Sequence, residues 1–250
     1  MRRNMTTVMA ILALASFPIY SQAAVVLGAA GGFSVLAGST ATNTGASIIN
    51  GGNVGVSPGT SLTGFLPGVI QPPFTTHSAD ATSLAAQADL TIAYNAAAGL
   101  PMTQDLTGVN LGGLTLLPGV YKFSSSAQLT GALVLDANND PNAEFVFQIG
   151  STLTTAAGSS VSVINNVVVQ PCIVFWQVGS SATLGAGNQF QGHILALASI
   201  TVGAGTAIVS GSTLARTGAV TLDTDAITGC SQSVVPTRPS TWSAVKTYYR

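Results

Sequence analysis

The chain has 250 residues, of which 47% are hydrophobic and only 6% are charged. This composition indicates one sizeable globular domain and excludes disordered, collagen-like and coiled-coil chains. Between residues 24 and 230, two cations, Lys122 and Arg216, stand against eight carboxylates, a net charge of −6, which disfavours nucleic acids and anionic membranes as partners.

The N-terminal segment, residues 1–23, has the pattern of a secretory signal peptide. Arg2 and Arg3 precede an apolar run from Val8 to Ile19, and small residues follow up to Ala23, where cleavage is expected. No later segment is a long uninterrupted apolar run, so no transmembrane helix is predicted. We therefore expect a signal peptide at 1–23, one domain at 24–230, and a secreted, extracellular protein.

Short segments of small residues recur from residue 38 onward. They are "GSTATNTG" from Gly38, "SSSAQLTG" from Ser124, "GSTLTTAAG" from Gly150, "GSSATLGAG" from Gly179, "ASITVGAG" from Ala198 and "GAVTLD" from Gly218. The centres of the last three, Ala182, Ile200 and Val220, follow one another at nearly equal intervals. A period of roughly 20 residues predicts one solenoid coil per repeat.

A second strand pattern precedes most of these segments. Examples are "GVYKFSSSA" ending at Ala127 and "IVFWQVGSSA" ending at Ala182. A strand of aromatic and branched residues, a glycine or serine corner, a Ser/Thr strand and another glycine corner together predict a β-helix. We expect the aromatic side chains of Tyr121, Phe147 and Trp176 to face outward and to need a cover. The glycines expected at the corners are Gly179, Gly185, Gly187, Gly203 and Gly205.

One segment, "HSADATSLAAQADLTIAYNAAAG" from residue 77 to residue 99, breaks the repeat. Ser78 is a suitable N-cap, Leu84, Ala88 and Ile92 follow at spacing four, and Gly99 is a suitable stop, which together predict a helix of about five turns. The predicted fold is mostly β, a solenoid with one long α-helix packed alongside.

Alternation along the Ser/Thr strands predicts one polar face. If Ala182 and Leu184 point inward, then Ser181 and Thr183 point outward. The same rule gives the candidate binding residues Thr40, Thr42, Ser61, Thr63, Ser126, Gln128, Thr152, Thr154, Ser181, Thr183, Ser199, Thr201 and Thr221. Stacked at about 4.8 Å, with about 6.6 Å between the two residues of a strand, they form a grid that suits an ordered water layer. The alternative is that Thr simply favours exposed strands.

No pattern of catalytic residues accompanies this face. His77 and His193 are the only histidines, and neither lies in an acyl-transfer motif. Asp136, Asp140 and Glu144 lie in "DANNDPNAE", which is typical of a turn. A calcium site there is the alternative, but the loop lacks EF-hand spacing. We expect no enzyme, no cofactor and no metal.

Cys172 and Cys230 are the only cysteines, and they form neither a CxxC motif nor a Cys/His cluster in the sequence. In an oxidising compartment one disulfide is possible, and two buried free thiols are the alternative. Beyond Cys230, residues 231–250 carry two prolines and no repeat, which predicts a flexible tail; its aromatic and basic residues leave contact with a partner as the alternative.

Several long stretches closely resemble the microbial ice-binding (antifreeze) protein family. They are "LGAAGGFSVLAGSTATNTGASIINGGNVGVSPGTSLTGF" from Leu27, "ADLTIAYNAAAG" from Ala88, "DLTGVNLGGLTLLPGVYKFSSSAQLTGALVLDANNDPNAEFVFQIGSTLTTAAGSSV" from Asp105, and "VFWQVGSSATLGAGNQFQGHILALASITVGAGTAIVSGSTLARTGAVTLDTDAIT" from Val174. The resemblance implies a right-handed β-helix of triangular section and irregular coil order, one long helix alongside, and a flat face that adsorbs to ice. Met102 and Lys122 stand where many relatives carry cysteines.

Two faces compete for that role. The first consists of the Ser/Thr residues above. The rival follows the next corner, and its outward residues are expected to be Ser47, Ile49, Ala132, Val134, Ser160, Ser162, Gln189, Gln191, Ala207 and Val209.

The resemblance implies a secreted monomer that inhibits ice growth and recrystallisation and produces thermal hysteresis as a cold adaptation. The alternative function is a structural or adhesive cell-surface module that uses the β-helix as a rigid spacer. A carbohydrate-active enzyme is disfavoured, since the predicted strands carry almost no carboxylates.

Overall fold

A computed structural model describes residues 25–167 and 172–230. The predicted signal peptide and tail lie outside the described residues. The strands are β1 Phe33–Ala37, β2 Thr40–Thr44, β3 Ile48–Asn50, β4 Asn53–Val56, β5 Ser61–Thr63, β6 Val69–Ile70, β7 Thr76–Ser78, β8 Gln104–Asp105, β9 Thr115–Leu116, β10 Gly119–Phe123, β11 Ala127–Leu129, β12 Ala132–Asp136, β13 Phe145–Ile149, β14 Leu153–Thr155, β15 Ser160–Ile164, β16 Val174–Val178, β17 Ala182–Leu184, β18 Gln189–Ala196, β19 Ile200–Val202, β20 Ala207–Ala215, β21 Val220–Asp223 and β22 Ala226–Thr228. A short 3-10 helix, Gly28–Gly32, and one α-helix, α1 at Ala81–Gly99, complete the described elements.

These strands wind into a β-helix with three faces. The first face is a seven-stranded sheet in the order β11-β14-β17-β19-β21-β2-β5. The second face contains β9, β12, β15, the first halves of β18 and β20, then β22, β3 and β6. The third contains β8, β10, β13, β16, the second halves of β18 and β20, then β1, β4 and β7. Neighbouring strands are parallel throughout, as a solenoid requires. The predicted fold class is confirmed.

The coils do not stack in sequence order. The first described coil packs on the last one, because β1 pairs with β20, β2 with β21 and β3 with β22. As a result β7 lies at one end of the solenoid and β8 at the other. The 19-residue α1, about 28 Å long, connects these two ends along the third face, whose nine strands span about 38 Å.

A row of aromatic rings fills the interior. Tyr121 stacks on Phe147 with 5.5 Å between ring centroids, Phe147 on Trp176 with 3.9 Å, and Trp176 contacts Phe190 at 5.1 Å. The prediction that these aromatic side chains face outward was wrong. They point into the interior, and the residue before each of them in its strand points outward. The largest rings occupy the lumen because it offers the most volume to fill, and their smaller neighbours face the helix.

The helix begins later than predicted. Ser78 lies in β7, and the N-cap is Asp80, whose carboxylate accepts a hydrogen bond from the Ser83 amide at 2.8 Å. The same carboxylate lies 2.7 Å from Nδ1 of His77. The Ser83 amide and then His77 lower the pKa of Asp80 to about 2, since both stabilise the ionised form. The predicted end at Gly99 agrees with the structure.

The buried side of α1 consists mainly of small residues, with Leu90 and Tyr94 among them. Ala86, Ala93 and Ala97 are completely buried around Leu90, whereas Leu84 and Ile92 are 62% and 65% exposed. The face suggested by Leu84, Ala88 and Ile92 is therefore the outer one. The small residues let the helix approach the third face closely, where it covers Val120, Val146, Phe175, Leu195 and Leu214.

Polar contacts fix the helix in place. Gln148 of β13 donates hydrogen bonds of 2.8 Å to the carbonyls of Ala97 and Leu100, which satisfies acceptors that the helix end leaves free. Gln87 donates to the carbonyl of Ala215 at 3.1 Å. The helix is thereby tied to two separate strands of the third face, β13 and β20. Among the described residues, no helix is long and apolar enough to cross a membrane.

Close packing at the corner between the second and third faces requires glycine. Gly192 has φ of +106°, and a Cβ there would lie 2.6 Å from the carbonyl oxygen of Val174. A Cβ at Gly211 would collide with the backbone of Gly192 in the neighbouring coil. These glycines let β18 and β20 continue from one face onto the next.

Candidate functional site

The first face presents one unbroken column of polar side chains. The central outward residue of each strand is directly paired with that of its neighbour in the sheet. In spatial order the column is Gln128, Thr154, Thr183, Thr201, Thr221, Thr42 and Thr63. Parallel pairing sets the rungs about 4.8 Å apart, so six threonines repeat at strand spacing.

A second column lies two positions before the first in each coil, at or just before the start of the strand. Its members are Ser126, Thr152, Ser181, Ser199, Ala219, Thr40 and Ser61. Several are held by their neighbours: Thr152 donates to the Ser126 hydroxyl at 2.8 Å, and the Ser181 hydroxyl accepts from the Ser199 amide at 3.2 Å. The structure thus brings together on one face all the residues predicted for it.

Four of the six threonine hydroxyls in the first column have no partner among the described residues, whereas Thr63 donates to the Thr42 hydroxyl at 3.4 Å. The hydroxyls of Thr154, Thr183, Thr201 and Thr221 make no hydrogen bond to any residue in the described part of the chain, and the first three side chains are exposed. An exposed hydroxyl without a protein partner bonds to water. The six threonines of this column therefore offer regularly spaced donors and acceptors, with a methyl group beside each hydroxyl.

The inward residues of the same strands make this face rigid. Ala182, Ile200 and Val220 are completely or almost completely buried in the core. Along the strands of the first face, Asp223 at the end of β21 is the only charged residue. A fixed, nearly uncharged surface of this kind loses little conformational entropy when it adsorbs.

One residue of this face was missed in the sequence. Asn110 forms an isolated parallel bridge with Gln128 and so extends the first column beyond β11. Its side-chain oxygen accepts hydrogen bonds from the amides of Gly112 at 2.8 Å and Thr130 at 3.1 Å. The similarity of "NLGG" from Asn110 to "QLTG" from Gln128 is the signal that could have identified it.

The second face has a different surface. The outward residues of its β3 rung were predicted wrongly. Ser47 and Ile49 are completely buried, whereas Ile48 and Asn50 are exposed. The physical reason is the corner before β3, where Ser47 turns inward and its hydroxyl donates to the Asn43 side chain at 2.5 Å. The outward residues of the other rungs include Val134, Ser162, Gln189, Gln191, Ala207, Val209, Ala226 and Thr228.

The histidines and acidic residues outside the first face have local structural roles. His193 is buried beside Phe175, and burial lowers its pKa to about 4. Asp136 accepts from the Asn138 amide and Asp140 from the Asn142 amide, each at 2.8 Å, as expected of turns. The carboxylate of Glu144 accepts from the amide of Val25 at 2.9 Å, and burial raises its pKa.

Two further features lie near the corners. Cys172 and Cys230 form a disulfide with 5.7 Å between their Cα atoms.

Asp225, between β21 and β22, is almost fully buried and accepts hydrogen bonds from the amides of Thr206 and Asp223. Burial raises the pKa of Asp225 to about 6 despite these hydrogen bonds.

Comparisons with known proteins identify close relatives. The family model described as "Ice-binding-like" matches residues 35–228. An ice-binding protein of Nostoc sp. (strain HG1) is 52% identical over 227 residues, which cover 90% of this chain and 82% of the relative.

Solved structures agree with the sequence comparison. The crystal structure of an ice binding protein from an Antarctic Biological Consortium has a TM-score of 0.78 at 41% identity, covering 89% of this chain and 96% of that chain. The ice-binding protein from the Antarctic ascomycete Antarctomyces psychrotrophicus also gives 0.78 at 41% identity, covering 83% and 99%.

Proposed function

The chain belongs to the ice-binding-like family, and from that premise we propose that it adsorbs to ice through the first face. The observation that carries this proposal is the column of six threonines from Thr154 to Thr63, paired in register across neighbouring strands. Each rung adds a hydroxyl and a methyl group at the same lateral position, and ice is a ligand whose surface repeats in the same way.

The proposed mechanism is physical adsorption without bond making or breaking. Hydroxyls anchor water molecules at the spacing of the strands, and methyl groups favour cage-like water between them. Each contact is weak, but a rigid face makes many at once. Ice then grows only between adsorbed molecules, where the front becomes curved, and curvature opposes further growth and recrystallisation.

We further propose that the protein acts outside the cell as a monomer, without cofactor or catalysis. Export is supported by the signal-peptide pattern of residues 1–23. A monomer is supported by the first face itself, because adsorption to a crystal requires that no second subunit cover it. The net negative charge of the domain, with only two cations between residues 24 and 230, disfavours nucleic acid and membrane as competing partners.

Partition into slowly growing ice tests this function. A hemisphere of ice is grown in a dilute solution of the protein, and the protein concentration is measured in the ice and in the remaining liquid. We expect enrichment in the ice. A structural or adhesive module would be excluded from the growing crystal and concentrated in the liquid, and that result would contradict the proposal.

A further inference from the structure

Three side chains that are common metal ligands meet where the second and third faces join, away from the threonine column. They are Cys172, just before β16, His193 in β18, and Cys230, just after β22. Their two sulfur atoms and a histidine ring nitrogen all lie within 4.8 Å of one another. Nε2 of His193 is 3.2 Å from Sγ of Cys230.

His193 is held in an orientation that suits a metal ligand. The residue is 1% exposed, and its ring stacks on Phe175 with 5.3 Å between centroids. Nδ1 lies 2.7 Å from the hydroxyl of Ser212. When Nδ1–H donates to that hydroxyl, the lone pair of Nε2 points toward the sulfurs, an arrangement typical of the outer contacts of metal-bound histidines.

In the tautomer with hydrogen on Nδ1, the disulfide leaves Nε2 without a donor on the sulfur side. A disulfide sulfur carries no proton, so it cannot donate a hydrogen bond to a ring nitrogen. A thiol or a metal ion in the same place would satisfy the lone pair. Nothing in the adsorption of the first face to ice uses this buried imidazole, which belongs to the third-face part of β18.

We propose that the dithiol form of this chain binds one Zn²⁺ ion, or a similar thiophilic divalent cation, through Cys172 Sγ, Cys230 Sγ and His193 Nε2. Tetrahedral coordination needs ligand atoms about 3.5 to 3.8 Å apart, and small side-chain movements reach that spacing from the present cluster. Two sulfurs that are no longer bonded also move apart to about this separation. Cys172 is partly exposed, which provides an entry path and room for a water molecule as fourth ligand.

The two states are related by a balanced reaction. A dithiol or phosphine reductant gives two electrons to the S–S bond, and two protons from water complete the two thiols. Binding of Zn²⁺ then releases both protons, because thiolates are the ligands. Either state joins Cys172 to Cys230, by a covalent bond or through the ion. The sequence did not indicate this site because the two cysteines are separated by 58 positions, with His193 between them.

Cobalt provides a spectroscopic test. The full chain, without a histidine tag, is reduced with a phosphine under anaerobic conditions and titrated with Co²⁺. We expect one equivalent to bind with thiolate-to-cobalt absorption, which Zn²⁺ abolishes by displacement. The oxidised chain is expected to give no such absorption. A reduced, folded chain that gives none would overturn the proposal.

Variants separate the site from adventitious thiol binding. We expect His193→Gln and Cys172→Ser to lose the absorption, and Ser212→Ala to bind about 10- to 100-fold more weakly because the imidazole loses its outer contact. His77→Gln, at the other histidine, is the matched control and should bind like wild type. If His193→Gln does not fold, Ser212→Ala and Cys172→Ser decide; wild-type affinity in both would contradict the proposal. Ice partition of the metal-bound chain should equal that of the oxidised chain.

Discussion

The first and second faces are built from the same coils, yet they present different surfaces. On the first face the paired outward residues are threonines over six consecutive rungs. On the second face the outward residue changes from rung to rung: apolar side chains such as Val209 and Ile48, which are 45% and 49% exposed, lie among serines and amides such as Gln189. A parallel sheet alone therefore does not make an ordered polar surface; the outward residue must also repeat.

The corners explain part of this difference. The strands of the first face end at corners on both sides, so each coil presents a short independent segment. On the second face β18 and β20 continue through Gly192 and Gly211 onto the third face, with a register shift at that point. Between β15 and β18 the register there rests on a single pair, Ser160 with Gln189. The second face is thus less regular in backbone as well as in side chains.

The largest effect is expected from bulky residues at the centre of the first face. Thr183→Tyr and Thr201→Tyr should each reduce thermal hysteresis to below roughly a tenth of the wild-type value, because central contacts dominate binding energy and the ring holds neighbouring rungs away from the ice. The melting temperature should not change, since both side chains are exposed. Val209→Tyr, on the second face, is the matched control and should remain active. Full activity of both threonine variants would show that the face is wrongly assigned.

A smaller effect should separate the methyl group from the hydroxyl. Thr183→Val keeps the branched shape and removes the hydroxyl, whereas Thr183→Ser removes the methyl group. If both groups contact ordered water, each variant should lose part of the hysteresis, by a factor of about two to five, the range that weak single contacts produce. Nanolitre osmometry at matched protein concentration measures this. An unchanged value for both would contradict a role for this rung.

A still smaller effect is expected at the edge of the column. Thr63 lies in β5, the last strand of the first face, and has a neighbouring rung on one side only. Thr63→Tyr should therefore disturb fewer contacts than Thr201→Tyr and retain more than about half of the hysteresis, since peripheral contacts contribute less. A loss equal to that of Thr201→Tyr would indicate that the edge, and not the centre, governs adsorption.

The smallest effect concerns the pH dependence of stability, through Asp225 at the corner between the first and second faces. Burial holds the pKa of Asp225 at about 6, above its ordinary value of 3.8, so the folded state keeps a proton that the unfolded state releases between these values. This extra proton raises the free energy of unfolding as pH falls from about 7 to about 4, whereas His193, whose pKa burial lowers to about 4, reduces it over the same range. Asp225→Asn removes the contribution of Asp225 and keeps that of His193, so the difference between wild type and the variant reports Asp225 alone.

Urea unfolding at pH 7 and pH 4.5 measures the difference between wild type and Asp225→Asn. We expect wild type to gain stability relative to the variant at the lower pH. Ice activity of folded wild type should stay constant over this range, because the threonines do not titrate. A relative loss of stability at pH 4.5 would contradict the assignment of the raised pKa.

Much of this architecture could be predicted from the sequence because it repeats. The recurrent small-residue segments and the glycine corners predicted the solenoid. Alternation then predicted the outward residues of the first face, because Ala182 and Leu184 can both be buried only if Thr183 faces the solvent. Which side chains of the third face point inward could not be predicted in this way. There every residue from Phe145 to Ile149 is buried, so alternation carries no signal and the aromatic rings were assigned to the wrong side.

Other features depend on contacts between distant residues. The buried side of α1 contains mainly small residues around Leu90, and a hydrophobic pattern gives more weight to Leu84 and Ile92 on the exposed side. The small residues are buried because they let the helix approach the third face closely. The coil order places β2 beside β21 and so makes the threonine column continuous from Thr221 to Thr42. From residue numbers alone, these two threonines stand at opposite ends of the chain.

The most direct test of the central claim is a paired partition experiment on two double variants. Thr183→Tyr/Thr201→Tyr alters the first face, and Gln189→Tyr/Val209→Tyr places the same bulk on the second. Each protein is measured in the ice and liquid fractions of one slowly growing hemisphere, after circular dichroism has established that it is folded. We predict that the second-face variant enters the ice like wild type and that the first-face variant stays in the liquid; the reverse distribution would contradict the account.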